Sequence, residues 1–295
     1  MKINLNKKYI LLLMPLILVD TSYTSFYRFF ATLRWFSMHD TESYKTYKND
    51  PTYDWSTNKI FMEKYEKMYL KSIIDLVSKK VFDNSTIIFC MDSPKENIWR
   101  NELMKGYKAD RCDLSKKTNF KYVFNETYTT IIPKIIKENT DKIHKIRIDK
   151  LEADDIIAVI CKHYEKKHPE EKVYLISGDK DFLQLGRENL IFINYKSKEL
   201  ISLTLEEAKE QLKLKILNGD CSDNILSIFP KDKKILPLKK RKELIENEDK
   251  LKEYLNENPE INEKYKINCK MIDFNFIPKE LQKEILLNLK PIMTR

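Results

Sequence analysis

Residues 145–160 decide the fold, and they read Lys-Ile-Arg-Ile-Asp-Lys-Leu-Glu-Ala-Asp-Asp-Ile-Ile-Ala-Val-Ile. The short apolar run at 145–148 predicts a strand. Glu152, Asp154 and Asp155 precede a longer apolar stretch, which predicts that they lie in the first turn of a helix, where negative charge is favourable. A strand, an acidic turn and a helix in this order are typical of a parallel sheet with helical crossovers.

The same kind of apolar run recurs on both sides of this stretch, and helix-like segments separate the runs. The further runs span residues 15–19, 86–91, 173–176 and 190–195. Acids follow three of them: Asp20, Asp92 and, slightly further on, Asp179. Because ligands bind outside the carboxyl ends of the strands in open α/β sheets, we expect these three acids to converge on one crevice.

The pattern divides the chain into two regions. Residues 1–200 predict an α/β domain with a central, mainly parallel sheet flanked by helices. From residue 201 onward the strand signal stops, and helices rich in Lys and Glu predict a helical C-terminal region at 201–295. Within the first region, a basic, glycine-poor stretch at 93–119 predicts a helix, and a polar insert at 38–58 predicts a solvated loop.

Two further acidic segments complete the set of candidate ligands. Asp179 and Asp181 lie in the segment Ser-Gly-Asp-Lys-Asp, and Asp220 and Asp223 lie in Asn-Gly-Asp-Cys-Ser-Asp-Asn. Carboxylates gathered in one apolar place repel one another, and a cation must neutralise them. Oxygen ligands without His or Cys favour Mg²⁺ or Mn²⁺ over zinc.

The overall charge points to an acidic polymer as the partner. The 295 residues include 54 Lys and Arg and carry a formal net charge of +9, which attracts polyanions such as nucleic acids. The five Cys form no paired spacing, which favours a reducing compartment. The apolar run that ends at Val19 is too short to span a bilayer, so we expect an intracellular protein, in the cytoplasm or nucleus of a host cell, that is neither secreted nor bound to a membrane.

At this point the chain resembles the 5′-nuclease or flap endonuclease superfamily. Six motifs carry the resemblance, in order from residue 15 to residue 224: a strand ending in Asp20, a strand ending in Asp92, Arg-x-Glu-Leu followed by Tyr-Lys-Ala-x-Arg at 100–111, Glu-Ala-Asp-Asp at 152–155, Ser-Gly-Asp-Lys-Asp-Phe-Leu-Gln-Leu at 177–185, and Gly-Asp-x-x-Asp-Asn at 219–224. The C-terminal segment also looks like the bacteriophage ribonuclease H branch, and the short chain with its polar insert looks like versions carried by large DNA viruses.

The resemblance implies a PIN-like nuclease fold with a helical arch at about 93–130 and a phosphodiesterase that uses two Mg²⁺ ions, for which Mn²⁺ can substitute. It implies that one ion is held by Asp20, Asp92, Asp179 and either Asp154 or Asp155, a choice that stays open. The second ion would be surrounded by Glu152, Asp181, Asp220 and Asp223. Arg100 and Lys108 match the basic residues of the family that reach the scissile phosphate, and we expect Arg111 to steer or grip the strand rather than to take part in the reaction.

The chain departs from the family pattern directly after Asn224. Many members continue into a glycine-bearing hairpin that often binds a potassium ion, but residues 225–231 contain no glycine. Basic side chains crowd the following segment and are candidates for binding duplex phosphates: Lys231, Lys233, Lys234, Lys239, Lys240 and Arg241. Binding through such residues falls steeply as salt rises.

The resemblance therefore predicts a Mg²⁺-dependent, structure-specific 5′→3′ nuclease, active as a flap endonuclease or 5′ exonuclease in DNA replication and repair, with ribonuclease H activity on RNA primers as a further expectation. The expected substrate is DNA or an RNA–DNA duplex with a 5′ end or flap. The protein is expected to act as a monomer and to interact with replication proteins. Two alternatives remain: a PIN-like ribonuclease of single-stranded RNA, and a non-catalytic nucleic-acid-binding scaffold.

Overall fold

The computed structural model describes residues 14–109, 118–231 and 236–294. Within these ranges one sheet contains the strands β1 (Leu16–Asp20), β2 (Thr86–Met91), β3 (Ile143–Arg147), β4 (Val173–Ser177), β5 (Leu190–Asn194) and β6 (Leu200–Ile201). The spatial order is β3-β2-β1-β4-β5-β6. All pairs are parallel except β5 with β6, which is antiparallel. The mainly parallel sheet expected from the apolar runs is confirmed.

Helices connect the strands and cover the sheet. They are α1 (Thr21–His39), α2 (Thr41–Tyr47), α3 (Lys59–Val77), α4 (Lys79–Asp83), α5 (Arg100–Leu103), α6 (Lys121–Glu126), α7 (Ile132–Glu138), α8 (Ala153–Lys167), α9 (Leu205–Asn218), α10 (Leu238–Glu246), α11 (Glu248–Glu257), α12 (Pro259–Ile272) and α13 (Lys279–Met293). Among the described residues, no helix has both the length and the apolar character that crossing a bilayer requires.

Strand β1 lies in the middle of the sheet and contributes to two cores. Leu16 and Leu18 face the core that contains α8, while Ile17 and Val19 face the core that contains Phe29 of α1. Every residue of the strand is buried, because helices cover both faces of the sheet. This double burial explains why the strand reads as a continuous apolar run.

The order of the strands places a crevice at one edge of the sheet. From β1 the chain moves outward to β2 and β3 on one side, and it later returns beside β1 to form β4 and β5 on the other side. At such a switch point the connections leave the carboxyl ends of the strands in opposite directions, and a ligand can enter between them.

The helices after β6 form smaller clusters and then return to the sheet. Leu217, Leu244 and Leu255 pack together in the helical region. The last helix, α13, packs against α8, and its Ile285 and Leu289 belong to the core on that face of the sheet. The helical C-terminal region is thus anchored on the α/β core at its far end.

The polar insert at 38–58 differs from the expected solvated loop. It contains α2 and a short 3-10 helix at Trp55–Thr57, and Trp55 is completely buried. The Tyr47 and Tyr53 rings stack with 3.9 Å between their centroids. The prediction of a solvated loop was wrong because these aromatic side chains pack against α1 and α3, a contact that the local polar composition does not reveal.

The basic stretch after β2 is also less helical than expected over its described part. Only Lys95–Asn97 and Arg100–Leu103 are helical before residue 109, and turns follow. Gly106 and Lys108 have φ angles of +92° and +55°, which are incompatible with a continuous right-handed helix. The expected helical stretch is therefore interrupted by a turn before residue 109, and its residues 110–117 lie outside the described ranges.

Candidate active site

Strand ends and one helix start deliver five acids to a common cavity. Asp20 is the last residue of β1, Asp92 follows β2 directly, and Asp179 lies just beyond β4. Together with Glu152 and Asp154, from the start of α8, they line a cavity of about 270 Å³. The fold thus brings together the acids that the strand pattern placed at the carboxyl edge of the sheet.

Asp20 is buried and accepts hydrogen bonds from neutral donors. Its Oδ1 accepts from the backbone N–H of Tyr23 at 3.1 Å, and its Oδ2 accepts from the hydroxyl of Ser177 at 2.7 Å. Burial, followed by the charge of Asp92, raises the pKa of Asp20 to about 7. A carboxyl group in this state loses its proton readily once a cation enters the cavity.

Asp92 is held in the same way from two sides. Its Oδ1 accepts a hydrogen bond of 2.6 Å from the backbone N–H of Ala153, and the Ser22 hydroxyl donates to its Oδ2. The Ser22 and Tyr128 hydroxyls lie 2.7 Å apart, and Tyr128 belongs to a single π-helical turn at Thr127–Ile131. Burial raises the pKa of Asp92 as well.

Asp154 and Asp155 point to different surroundings, although they are adjacent. Asp155 is fully buried and accepts two hydrogen bonds from the Arg100 guanidinium, at 2.8 and 2.9 Å, and one of 3.0 Å from the Trp99 indole N–H. Asp154 instead lines the cavity. Burial, followed by the charge of Glu152, raises the pKa of Asp154 well above its usual value. One oxygen of each of these three acids lies within 4.8 Å of the others.

Glu152 connects the cavity to the basic turn. Its carboxylate contacts the Lys108 ammonium, accepts a hydrogen bond of 2.9 Å from the Tyr107 hydroxyl, and lies 3.1 Å from Nη1 of Arg100. Burial raises the pKa of Glu152, but the charges of Lys108 and Arg100 outweigh it, and the net pKa is lowered. Glu152 is therefore a charged carboxylate that is already neutralised by its own chain.

A second acidic group lies beside the first. Asp181, Asp220 and Asp223 each offer an oxygen within 4.8 Å of the others. Asp223 lies 3.3 Å from the Tyr107 hydroxyl and 3.7 Å from the Lys108 ammonium, so the basic turn links the two acidic groups. In the turn where Lys108 has a positive φ, its backbone N–H donates to the carbonyl of Asp223 at 3.2 Å.

A tight turn presents Asp220 and Asp223. Gly219 has a φ of +71°, and a Cβ at this position would lie 2.4 Å from the carbonyl oxygen of Ile225. Asp220 and Ile225 exchange two backbone hydrogen bonds of 2.8 Å. Only glycine fits both the positive φ and the close approach, which explains its place directly before the first acid.

The Lys215 ammonium lies between two acids of the second group. It contacts Asp181, and it lies 2.8 Å from Oδ2 of Asp220. Partial burial raises the pKa of Asp220, but the hydrogen bonds from Lys215 and Ser222 outweigh burial and lower the net pKa to about 2. Asp220 is thus charged in the folded protein at any ordinary pH.

The position of Arg100 corrects its predicted role. Its side chain is only 2% exposed, and its guanidinium bonds to Asp155, Glu152 and the carbonyl of Met271. A buried guanidinium with these partners does not face an incoming phosphate. Arg100 therefore holds Asp155 and Glu152 in position through contacts inside the protein. Lys108 instead lines the cavity, as a residue that contacts the phosphate must.

The predicted duplex-binding residues fall into three classes. Lys231, Lys239 and Lys240 are exposed. Arg241 is not available in the same way, because its guanidinium bonds to the carbonyl oxygens of Pro230 and Leu236 and lies over the ring of Phe229. Three of the predicted residues lie outside the described ranges: Arg111, Lys233 and Lys234.

Several residues of the site were not predicted. Tyr107 bridges the two acidic groups, Lys215 pairs with the second group, and Trp99 supports Asp155. Tyr107 and Trp99 directly precede the predicted Lys108 and Arg100 in sequence. This adjacency could have identified both of them as candidate site residues. For Lys215 the signal was its place five residues before the predicted Asp220, whereas its other partner, Asp181, is distant in sequence.

The chain matches the family described as "5′-3′ exonuclease, N-terminal resolvase-like domain" over residues 15–213. It is 29% identical over 242 residues to the ribonuclease H of Enterobacteria phage T4, which covers 77% of each chain. It is 33% identical over 166 residues to a 5′-3′ exonuclease of Buchnera aphidicola subsp. Schizaphis graminum, with 53% of this chain and 52% of that protein covered. The alignment thus spans about half the length of the Buchnera protein.

The fold has a close counterpart among solved structures. A bacteriophage T5 flap endonuclease variant, solved as a pseudo-enzyme-product complex with DNA and metal ions, superimposes with a TM-score of 0.60 and 18% identity, and the match covers 95% of this chain and all of that chain. At this identity the similarity establishes the fold, a central sheet with flanking helices of the resolvase-like type. From the family match and the sequence relatives it follows that the chain belongs to the 5′-3′ exonuclease family and is a 5′→3′ nuclease.

Proposed function

We propose that the protein is a Mg²⁺-dependent nuclease that binds a duplex with a free or flapped 5′ end, leaves 5′-phosphorylated products, and acts in primer removal or DNA repair. The observation that carries this proposal is the pair of acidic groups joined by Tyr107 and Lys108 at the carboxyl edge of the sheet. One group lines an open cavity, and a cation of the chain lies at its border.

The side chains present fit two hard divalent ions. Asp20, Asp92, Asp154 and Asp179 would hold one ion in the cavity, and Glu152, Asp181, Asp220 and Asp223 would hold the second. All of these donors are carboxylate oxygens, which favour Mg²⁺ or Mn²⁺ over zinc. The raised pKa values of Asp20, Asp92 and Asp154 support the fit, because a cation is what such buried acids lack. When bound, the two ions would activate water and stabilise the leaving oxygen of the phosphodiester.

The chain itself supplies positioning and one mobile positive charge. Lys108 lines the cavity and contacts Glu152, so it can transfer its hydrogen bonds to a phosphate oxygen that enters beside the acids. A cation at this point stabilises the negative charge that grows on the phosphate during cleavage. Tyr107 donates its one hydroxyl proton to Glu152 at 2.9 Å, and its oxygen lies 3.3 Å from Asp223, so the side chain sits between these two acids.

The helical region after residue 201 is proposed to bind the duplex beyond the cleavage point. Lys231, Lys239 and Lys240 are exposed and lie on the same segment of chain. The T5 flap endonuclease structure, a complex with DNA, supports DNA as a ligand of this fold. We keep the division into an α/β domain at 1–200 and a duplex-binding region at 201–295 as part of the proposal, with a monomer as the active form.

The names of the relatives indicate two different nuclease activities. One relative is named ribonuclease H, and the structural counterpart is a flap endonuclease. We propose that a 5′ end beside duplex is the common feature that the cavity recognises, and that both RNA primers and DNA flaps are cut. Replication proteins that expose such ends are the proposed partners.

Product mapping tests the proposal. Purified protein is incubated with a 5′-flap DNA, a nicked duplex, an RNA primer on DNA and plain single-stranded RNA, in Mg²⁺ and in a chelator. We expect cleavage of the first three substrates near the 5′ junction with Mg²⁺, and retained binding without cleavage in the chelator. Cleavage of single-stranded RNA alone would instead assign a PIN-like ribonuclease.

A matched pair of variants removes the risk of a contaminating nuclease. Asp154→Asn changes an acid that lines the cavity. Asp141→Asn makes the same change at an exposed position just before the amino end of β3, whereas the cavity lies at the carboxyl ends of the strands. The first variant is expected to lose at least about two orders of magnitude in rate, as when a preorganised charge is removed from a site, and the second is expected to keep the rate of the wild type.

A further inference from the structure

The two acidic groups differ in the charges that surround them. At the proposed first ion site, Asp20 and Asp92 accept hydrogen bonds from hydroxyl and amide groups, which are neutral. The Lys108 ammonium also lines that cavity, but it pairs with Glu152, an acid assigned to the second ion. In the second group, the Lys215 ammonium contacts Asp181 and lies 2.8 Å from Asp220. The Lys215 ammonium therefore already lies beside the oxygens of Asp181 and Asp220 that a divalent ion would need as ligands.

The geometry of the fold explains how Lys215 comes to this position. It lies in the last turn of α9, directly before the turn at Gly219 that presents Asp220. Asp181 comes from the 3-10 helix Lys180–Leu185, which packs against α9. The ammonium thus joins two segments that carry like charges and would otherwise repel each other.

We propose that Lys215 is the resident counter-ion of Asp181 and Asp220 in the second acidic group, and that the divalent ion bound by this group must displace it. This inference rests on the proposed function, because it concerns the second of the two ions. Before loading, Lys215 holds Asp181 and Asp220 together. On loading, one cation replaces another, so the second ion binds more weakly than the first.

The structure provides space for the displaced side chain. A cavity of about 290 Å³ adjoins Asp181 and Asp220, and it is lined by Lys215 together with Gln184 and Gln211. The Lys215 side chain is 23% exposed, so it reaches solvent without repacking of the core. Its flexible four-carbon stem allows the ammonium to move while the helix stays in place.

Mn²⁺ titration of the full chain without nucleic acid tests the proposal, with the free ion followed by electron paramagnetic resonance. Wild type is compared with Lys215→Met, which keeps the length of the stem and removes the charge, and with Lys209→Met on the exposed part of the same helix. We expect wild type and Lys209→Met to bind one ion tightly and one weakly. In Lys215→Met the weak site should tighten about tenfold, since a competing charge is gone, and the tight site should not change.

A second measurement uses only the wild-type protein, in case the variant does not fold. Acetylation of individual lysines is followed by mass spectrometry as Mn²⁺ is added. Displacement predicts that Lys215 becomes more reactive as the weak site fills, while Lys209 keeps a constant reactivity. If Lys215 stays equally protected at saturation, or the weak site of Lys215→Met binds no tighter than that of wild type, the inference is wrong.

The outcomes separate this inference from the proposed function. If wild type binds no Mn²⁺ or only one ion, the two-ion nuclease itself is contradicted. If wild type binds two ions and Lys215 neither moves nor competes, the nuclease stands and only the counter-ion role fails.

Discussion

Arg100 and Asp155 form a buried ion pair with two parallel hydrogen bonds, of 2.8 Å from Nη2 to Oδ1 and 2.9 Å from Nη1 to Oδ2. Neither side chain has more than 2% of its surface exposed. The pair ties α8 to the segment after β2, and the bond from Arg100 to the carbonyl of Met271 extends the tie to α12. Because Asp155 is held in this way, the neighbouring Asp154 is the acid that faces the cavity.

Asp155→Asn is expected to destabilise the protein much more than Asp154→Asn. The first change leaves the buried Arg100 charge without its partner, which costs about 3–5 kcal/mol. The second removes a carboxyl whose pKa is raised by burial, so we expect stability within about 1 kcal/mol of wild type. Urea unfolding in a chelator measures both. Equal losses in the two variants would mean that Arg100 and Asp155 do not form the structural pair.

Stability without metal should depend on pH through Asp20. Its pKa is about 7 in the folded protein, against an ordinary value of 3.8. The folded state therefore binds more protons than the unfolded state between these values, so the contribution of Asp20 is present below about pH 4 and is lost as the pH rises through 7. Unfolding curves of wild type and Asp20→Asn in a chelator, from pH 4 to 8, isolate this contribution as a difference.

That difference has a defined sign. Relative to Asp20→Asn, the free energy of unfolding of wild type should fall by a few kcal/mol as the pH rises from about 4 to 8. Glu152 and Asp220, whose pKa values are lowered, act in the opposite direction in both proteins and cancel. Mg²⁺ should reduce the loss, because an ion stabilises the ionised carboxylate. A pH-independent difference would show that Asp20 is not held in its protonated form.

Tyr107→Phe should loosen the connection between the acidic groups. The hydroxyl bonds to Glu152 at 2.9 Å and lies 3.3 Å from Asp223. Its loss should cost about 1–3 kcal/mol, since a buried charged acceptor loses a partner, and the cleavage rate should fall while duplex affinity is kept. Tyr122→Phe, at a half-exposed position, serves as the control. An unchanged cleavage rate in Tyr107→Phe would show that the Tyr107 hydroxyl is not needed for cleavage.

Duplex binding should depend on salt through the exposed lysines of the C-terminal region. Replacing Lys239 and Lys240 by Ala should reduce the slope of log K against log salt by about 1–2, because each lysine that neutralises a phosphate releases about one counterion. A control with Lys80→Ala and Lys137→Ala has the same net charge but changes exposed residues of the α/β domain. Fluorescence anisotropy in chelator measures the slopes. Equal slopes in both double variants would place the duplex elsewhere.

How much of the site could be predicted differs from residue to residue. Asp20, Asp92 and Asp179 could be predicted because parallel strands present their carboxyl ends at one edge, so a short apolar run followed by an acid already carries the geometry. The turn at Gly219 could be predicted because glycine marks a backbone that other residues cannot adopt. The role of Arg100 could not, since a cation eight residues from Lys108 fits a phosphate clamp as well as it fits a buried support.

The sequence by itself determined the alternation of strands and helices, the positions of the acids along them, and the family. These properties are local: they depend on apolar periodicity and on residues within one turn or one strand. Only the tertiary structure showed that Asp154 lines the cavity while Asp155 pairs with the buried Arg100, that Trp55 is buried, and that Lys215 contacts Asp181. In each case the partner comes from a distant part of the chain, and the energy of burying a charge or an aromatic ring depends on that partner rather than on sequence neighbours.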